Sequence, residues 1–288
     1  MPAETNLAPR LGNTRVTGKE QFYTPIALAN TLVSSVEAVL GSLQGKTVLE
    51  PAGGTGSFVE AALSKGAKQV ISFDIEPLHE KVLLGSFLDQ ELTQQNLITI
   101  SNPPFGRNNS LSVPFFNHAA RVSDGICFIV PRSWRKWSVT NRLDMNFELV
   151  SDQDIDIDYV DSSGELISDK SRLATCFQIW KRTTTPRVPV KITDMGVIEK
   201  VSPELADVSL TIFGYGCGNI KEDFERVPNT TQLFLKLNHP QALSALQSVD
   251  FSRFYKSTAY TEALSIQEIN YLLNEQIYGD PMIEGRSK

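Results

Sequence analysis

The tetrapeptide Asn102-Pro-Pro-Phe105 follows the apolar run Leu97-Ile-Thr-Ile-Ser101. An amine conjugated to an aromatic ring is a weak nucleophile. A protein activates it by accepting hydrogen bonds from both N–H groups, so that the nitrogen lone pair faces an electrophile. The Asn102 side-chain oxygen supplies one such acceptor and the Pro103 carbonyl the other. Pro103 and Pro104 hold the backbone rigid and offer no competing N–H, and Phe105 offers a flat face for a planar base. Without that chemistry, Asn-Pro-Pro is simply a turn.

Upstream, Lys46-Thr-Val-Leu-Glu50 runs into Pro51-Ala-Gly-Gly-Thr-Gly56. A strand ending in a glycine-rich turn lets a ligand come close to the backbone, and the helix beyond presents unpaired N–H groups. Taken alone this is a weak signal, equally open to a structural turn. Asp74 ends the next strand, Gln69-Val-Ile-Ser-Phe-Asp74, and is followed by Ile75; an acidic side chain there can accept from ribose hydroxyls, or be a plain strand-end carboxylate. The turn lacks the G-x-G-x-x-G register that suits a pyrophosphate.

These groups need a scaffold. Ile26, Leu28, Leu32, Val33, Val36, Val39 and Leu40 recur at helical spacing, with Thr24 as the expected N-cap and Pro25 at the first helical position. A helix is also expected over Phe58–Leu63, and a further strand over Gly125–Val130. Strands alternating with helices predict an α/β domain with a mainly parallel sheet covered on both faces. Residues 147–159 and 174–181 read as a closing strand pair separated by the polar segment at 161–165. Asp152, Asp154, Asp156 and Asp158 alternate with apolar positions, as on the solvated face of an edge strand. A mobile leader is expected over 1–17 and a boundary near 186. Beyond it lies a small α+β region with helices near 241–249 and 265–276, the latter opened by a Ser265/Glu268 capping box.

The order of the three motifs resembles that of the amino-methyltransferase family, in particular the N6-adenine DNA methyltransferases. The upstream Gly18-Lys-Glu-Gln-Phe-Tyr-Thr-Pro25 is similar to a segment of that family and of type I modification subunits. The resemblance implies a Rossmann-like methyltransferase fold, a seven-stranded, mainly parallel sheet with an antiparallel closing strand. It implies S-adenosylmethionine as cofactor, with Phe22, Tyr23 and Thr24 lining its pocket and Glu50, Ala52, Gly54 and Gly56 forming the floor. Asp74, with Ile75 beside it, would hold the ribose, and Asn102 would border the pocket. Residues 18–186 would then be the catalytic domain and 187–288 a target-recognition region. One departure stands out: many relatives carry an acidic residue for the cofactor's adenine amine where this chain has Ser86, followed by Phe87, which offers apolar contact.

Bulk properties bound the reading. The net charge is −6 and the pI about 5.2, so contact with phosphates must rest on local patches. Arg132, Trp134, Arg135 and Lys136, in Pro131-Arg-Ser-Trp-Arg-Lys-Trp137, are the candidate patch, against the alternative of an ordinary core helix. Three scattered cysteines and three histidines form no ligand pair, so no metal is expected; sparse cysteines and an opening without an apolar core suit an intracellular protein, and no segment suggests a membrane. A nucleic acid is the expected partner, DNA ahead of RNA. An RNA adenine methyltransferase, a protein glutamine N5 methyltransferase and a non-catalytic methyltransferase-like binding subunit remain as alternatives.

Overall fold

The computed structural model describes residues 23–158, 173–224 and 228–284. The leader at 1–17, Phe22, Tyr159 and the segment 161–165 lie outside them. Two compact units are formed. The first runs to Pro131 and resumes over Ser138–Val188; the second combines Arg132–Trp137 with Pro189 onward. The division thus falls two residues after the expected boundary and transfers Arg132–Trp137, expected within the first unit, to the second.

In the first unit, α1 (Ile26–Leu40) buries Ala29, Leu32, Val33 and Val36, the face its apolar spacing predicts. Its N-cap is Pro25, with no side-chain cap, so Thr24 does not cap the helix as expected. Next come β1 (Thr47–Glu50), α2 (Ser57–Ser64), β2 (Gln69–Asp74), β3 (Leu83–Leu84) and β4 (Leu97–Ser101). They are followed by α3 (Ser112–Ala119), β5 (Ser123–Pro131), the single turn α4 (Trp137–Thr140), whose first residue is counted with the second unit, β6 (Phe147–Ile155) and β7 (Thr175–Arg182).

The sheet order is β3-β2-β1-β4-β5-β7-β6. β1 pairs in parallel with β2 and β4, and β4 with β5, whereas β7 is antiparallel to both of its neighbours. This is the Rossmann-like methyltransferase arrangement that the resemblance implies. All five residues of β4 are buried, as a strand covered on both faces requires. The edge strand β6 exposes Asp152 and Asp154, and Asp156 and Asp158 beyond it are exposed too, which is the solvated edge predicted. Chain order reverses between β1 and β4, and a crevice at the carboxyl ends of the strands opens at such a reversal.

The second unit contains a four-stranded antiparallel sheet, order β10-β9-β11-β8, from β8 (Ile198–Lys200), β9 (Val208–Phe213), β10 (Ile220–Lys221) and β11 (Thr231–Leu237). With α5 (Ala242–Ser248), α6 (Ser252–Tyr255) and α7 (Ile266–Tyr278) it closes its own core, in which Leu210, Leu235, Leu246, Ile269 and Leu272 are buried. Ser265 and Glu268 form the capping box at the start of α7, each side chain bonded to the other's backbone N–H. Among the described residues, no helix is long and apolar enough to cross a membrane and no cluster of three His, Cys, Asp or Glu side chains suits a metal.

Candidate active site at the carboxyl ends of the parallel strands

Parallel pairing brings Glu50, Asp74 and Ser101-Asn102 to the same end of adjacent strands. Glu50 is 1% exposed. Its Oε1 accepts from the Ser101 hydroxyl at 2.5 Å and the Ala52 N–H at 3.0 Å. Burial pushes this carboxyl up to about 8, while the Ser101 and Ala52 hydrogen bonds pull the other way and the nearby Asp74 charge raises it further. A carboxyl raised this far keeps its proton at neutral pH. Ser101 carried no motif signal of its own; its one mark in the sequence is its place before Asn102.

Asp74 ties down the glycine turn. One carboxylate oxygen accepts from the Gly54 N–H and the other from the Glu76 N–H, both at 2.8 Å. Burial raises its pKa, opposed by the backbone N–H groups of Gly54 and Ile75. Gly54 and Gly56 have φ of 46° and 80°, in the left-handed region that favours glycine. A Cβ at Gly54 would lie 2.7 Å from the Tyr23 ring, and one at Gly56 would lie 2.4 Å from His79. Tyr23 therefore packs flush on the turn, and its phenol pKa is raised by burial and then by the Asp74 charge. Ala52 is half-buried at the floor, Ile75 is 56% exposed just beyond Asp74, and Ser86 is half-buried.

Asn102 is half-buried at the end of β4, and its Nδ2 donates to Oγ1 of Thr24 at 3.2 Å. Thr24 is itself only 5% exposed. Pro103 is buried and Pro104 half-buried.

Several expected contacts are taken up by packing instead. Phe105 is 8% exposed and belongs to the apolar cluster that includes Ile129, Ile155 and Phe177, so its ring is core and not an open face. Phe87 is 1% exposed, with its ring 5.5 Å from Phe115 and edge-on to His118 at 4.7 Å, which closes it to a ligand. Trp134 is fully buried. The Lys136 ammonium is 2.9 Å from both Glu268 oxygens and also donates to the Ala263 carbonyl, which removes it from the candidate patch. Arg132 and Arg135 remain partly exposed.

The donor set fits S-adenosylmethionine: an ionisable carboxyl at the floor, an acidic strand end for ribose hydroxyls, an exposed apolar residue beside it, and a glycine turn whose left-handed backbone admits no side chain without strain. No protein-family model matches the sequence, and no curated protein matches it. Among solved structures, a proposed RNA methyltransferase of Pyrococcus horikoshii is similar at 23% identity over 57% of this chain and 88% of its own, with a TM-score of 0.47. A proposed class I S-adenosylmethionine-dependent methyltransferase of Listeria monocytogenes is 15% identical over 58% of this chain and 63% of its own, at 0.43. The modification subunit of a proposed type I restriction enzyme of Vibrio vulnificus is 15% identical over 58% of this chain and 46% of its own, at 0.41. All three TM-scores lie below 0.5, so what the chain does is decided on its own residues.

Proposed function

We propose that this chain is an S-adenosylmethionine-dependent methyltransferase acting on the exocyclic N6 of adenine in a nucleic acid, DNA ahead of RNA. The observation that carries the reading is the meeting of Asn102-Pro103, at the end of β4, with the Glu50–Gly56 turn of the adjacent β1, across the point where strand order reverses. Bound there, the cofactor supplies a methyl group on a sulfonium. The chain's own residues hold the two partners in line: the Asn102 oxygen and the Pro103 carbonyl accept the two amine N–H groups and aim the nitrogen lone pair at that methyl. The amine nitrogen would take the methyl group that the cofactor supplies and release its surplus proton to solvent. Because Phe105 is core, the grip rests on Asn102 and Pro103. A base inside a duplex must leave its stack to reach them, and Arg132 and Arg135 are proposed phosphate contacts.

Incubation of the purified protein with methyl-labelled cofactor should yield N6-methyladenine in DNA. Replacing Asn102 with Ala should lower the rate by about 100-fold or more, the scale for losing one oriented polar group at a reacting centre. Parallel RNA and protein acceptors separate the alternatives: label on RNA alone would move the substrate, and label on protein alone would end the nucleic-acid reading. Failure of S-adenosylhomocysteine to bind in calorimetry would leave a binding subunit in place of an enzyme.

A further inference from the structure

We infer that Thr24 is a positioning residue that sets which way the Asn102 amide faces. Thr24 precedes a helix, where a threonine ordinarily serves as the cap, yet the N-cap of α1 is Pro25 and no side chain caps the helix. Its hydroxyl oxygen is instead within 3.2 Å of Asn102 Nδ2, bridging 78 residues of sequence, and the side chain is almost wholly shielded from water. The inference rests on the proposed amine chemistry and assigns Thr24 a role distinct from lining a cofactor pocket.

An asparagine amide has two faces of opposite character, an oxygen that accepts and an NH2 that donates, related by a half-turn about one bond. Only the oxygen helps an incoming amine, because an NH2 turned toward another NH2 sets donor against donor. Anchoring Nδ2 on the Thr24 oxygen fixes the carbonyl oxygen, buried in this structure, as the end of the amide left to accept from the amine. Ser101, the residue before Asn102, is held separately by Glu50. The backbone of the motif and the orientation of its amide are therefore secured by different elements, β1 for the first and the segment ahead of α1 for the second.

Two substitutions isolate the hydroxyl. Thr24→Val keeps the shape and removes the acceptor; Thr24→Ser keeps the acceptor and removes a methyl. With Val, kcat for adenine methylation should fall about tenfold, the scale of one net hydrogen bond. The Kd for S-adenosylhomocysteine should stay within about twofold, and Ser should restore kcat. In parallel, the side-chain amide signals of Asn102, assigned by their loss in Asn102→Gln, should shift in the Val variant and return in the Ser variant. A Val variant with wild-type kcat and unmoved Asn102 amide signals would overturn the inference, as would a large rise in Kd at unchanged kcat, which marks a pocket liner. Wild-type protein that methylates no acceptor would refute the parent reading, whereas the amide spectrum judges the Thr24 contact by itself.

Discussion

At Glu50, burial and hydrogen bonding act in opposite directions on one carboxyl group, and burial wins. Its folded-state pKa of about 8 lies above the ordinary 4.5. The folded protein therefore keeps a proton that the unfolded chain gives up, and the associated stability is full at low pH and lost as pH rises through about 8. Between pH 5 and 8 the wild type should lose on the order of 4 kcal/mol relative to Glu50→Gln, which cannot ionise. Denaturant unfolding of both proteins across that range measures the difference, and parallel curves would disprove the buried, protonated state. If S-adenosylmethionine binds beside Glu50 as proposed, its positive charge should expel this proton. Calorimetry in buffers of different ionisation enthalpy would show the release in wild type and its absence in Glu50→Gln. The sequence marked Glu50 by its place before the glycines; its partner Ser101 stands 51 residues away and had no such mark.

The element proposed to shape the cofactor pocket is the turn from β1 into α2. Gly54 combines a left-handed φ with the Tyr23 ring on its open side. An alanine there meets both obstacles, and the backbone part alone costs about 1–2 kcal/mol. Gly54→Ala should weaken S-adenosylhomocysteine binding by about tenfold or more, and removing the ring in Tyr23→Ala/Gly54→Ala should recover only the steric share. Titration calorimetry on the wild type and both variants tests this, and wild-type affinity in Gly54→Ala would show that the turn does not shape the pocket. Elements of this kind are legible because a buried parallel strand is an apolar run: β2 spans the very residues read as a strand, and β4 likewise. The two-residue β3, exposed on both residues, and the short α3 carry too little periodicity to be read.

Across the whole molecule, Lys136 shows how a basic residue in a promising motif can serve the fold. Its ammonium and the Glu268 carboxylate are mostly shielded, with side chains 17% and 3% exposed, and Glu268 also caps α7. Removing one member of such a pair leaves a buried charge unmatched at a cost of about 3 kcal/mol. Lys136→Met should thus destabilise the second unit by that order, and Lys136→Met/Glu268→Gln should recover part of it. Chemical denaturation with a probe in the second unit checks both, and a Lys136→Met protein of unchanged stability would return the lysine to the list of surface cations. If Arg132 and Arg135 contact phosphates as proposed, replacing both with Ala should weaken nucleic-acid binding and flatten its salt dependence by about two units of slope, readable in a salt titration.

Chain order alone determined which groups arrive at the carboxyl ends of β1, β2 and β4, because an apolar run followed by Gly, Pro or Asp is a local pattern, and parallel pairing then aligns the ends. Hydrogen bonds and ion pairs between distant residues were left to the tertiary structure. The Thr24 hydroxyl passes over its own helix for Asn102, and the Lys136 ammonium takes a carboxylate 132 residues away. Contacts of about 3 Å depend on how separate elements pack, and neither residue type nor spacing along the chain encodes that distance.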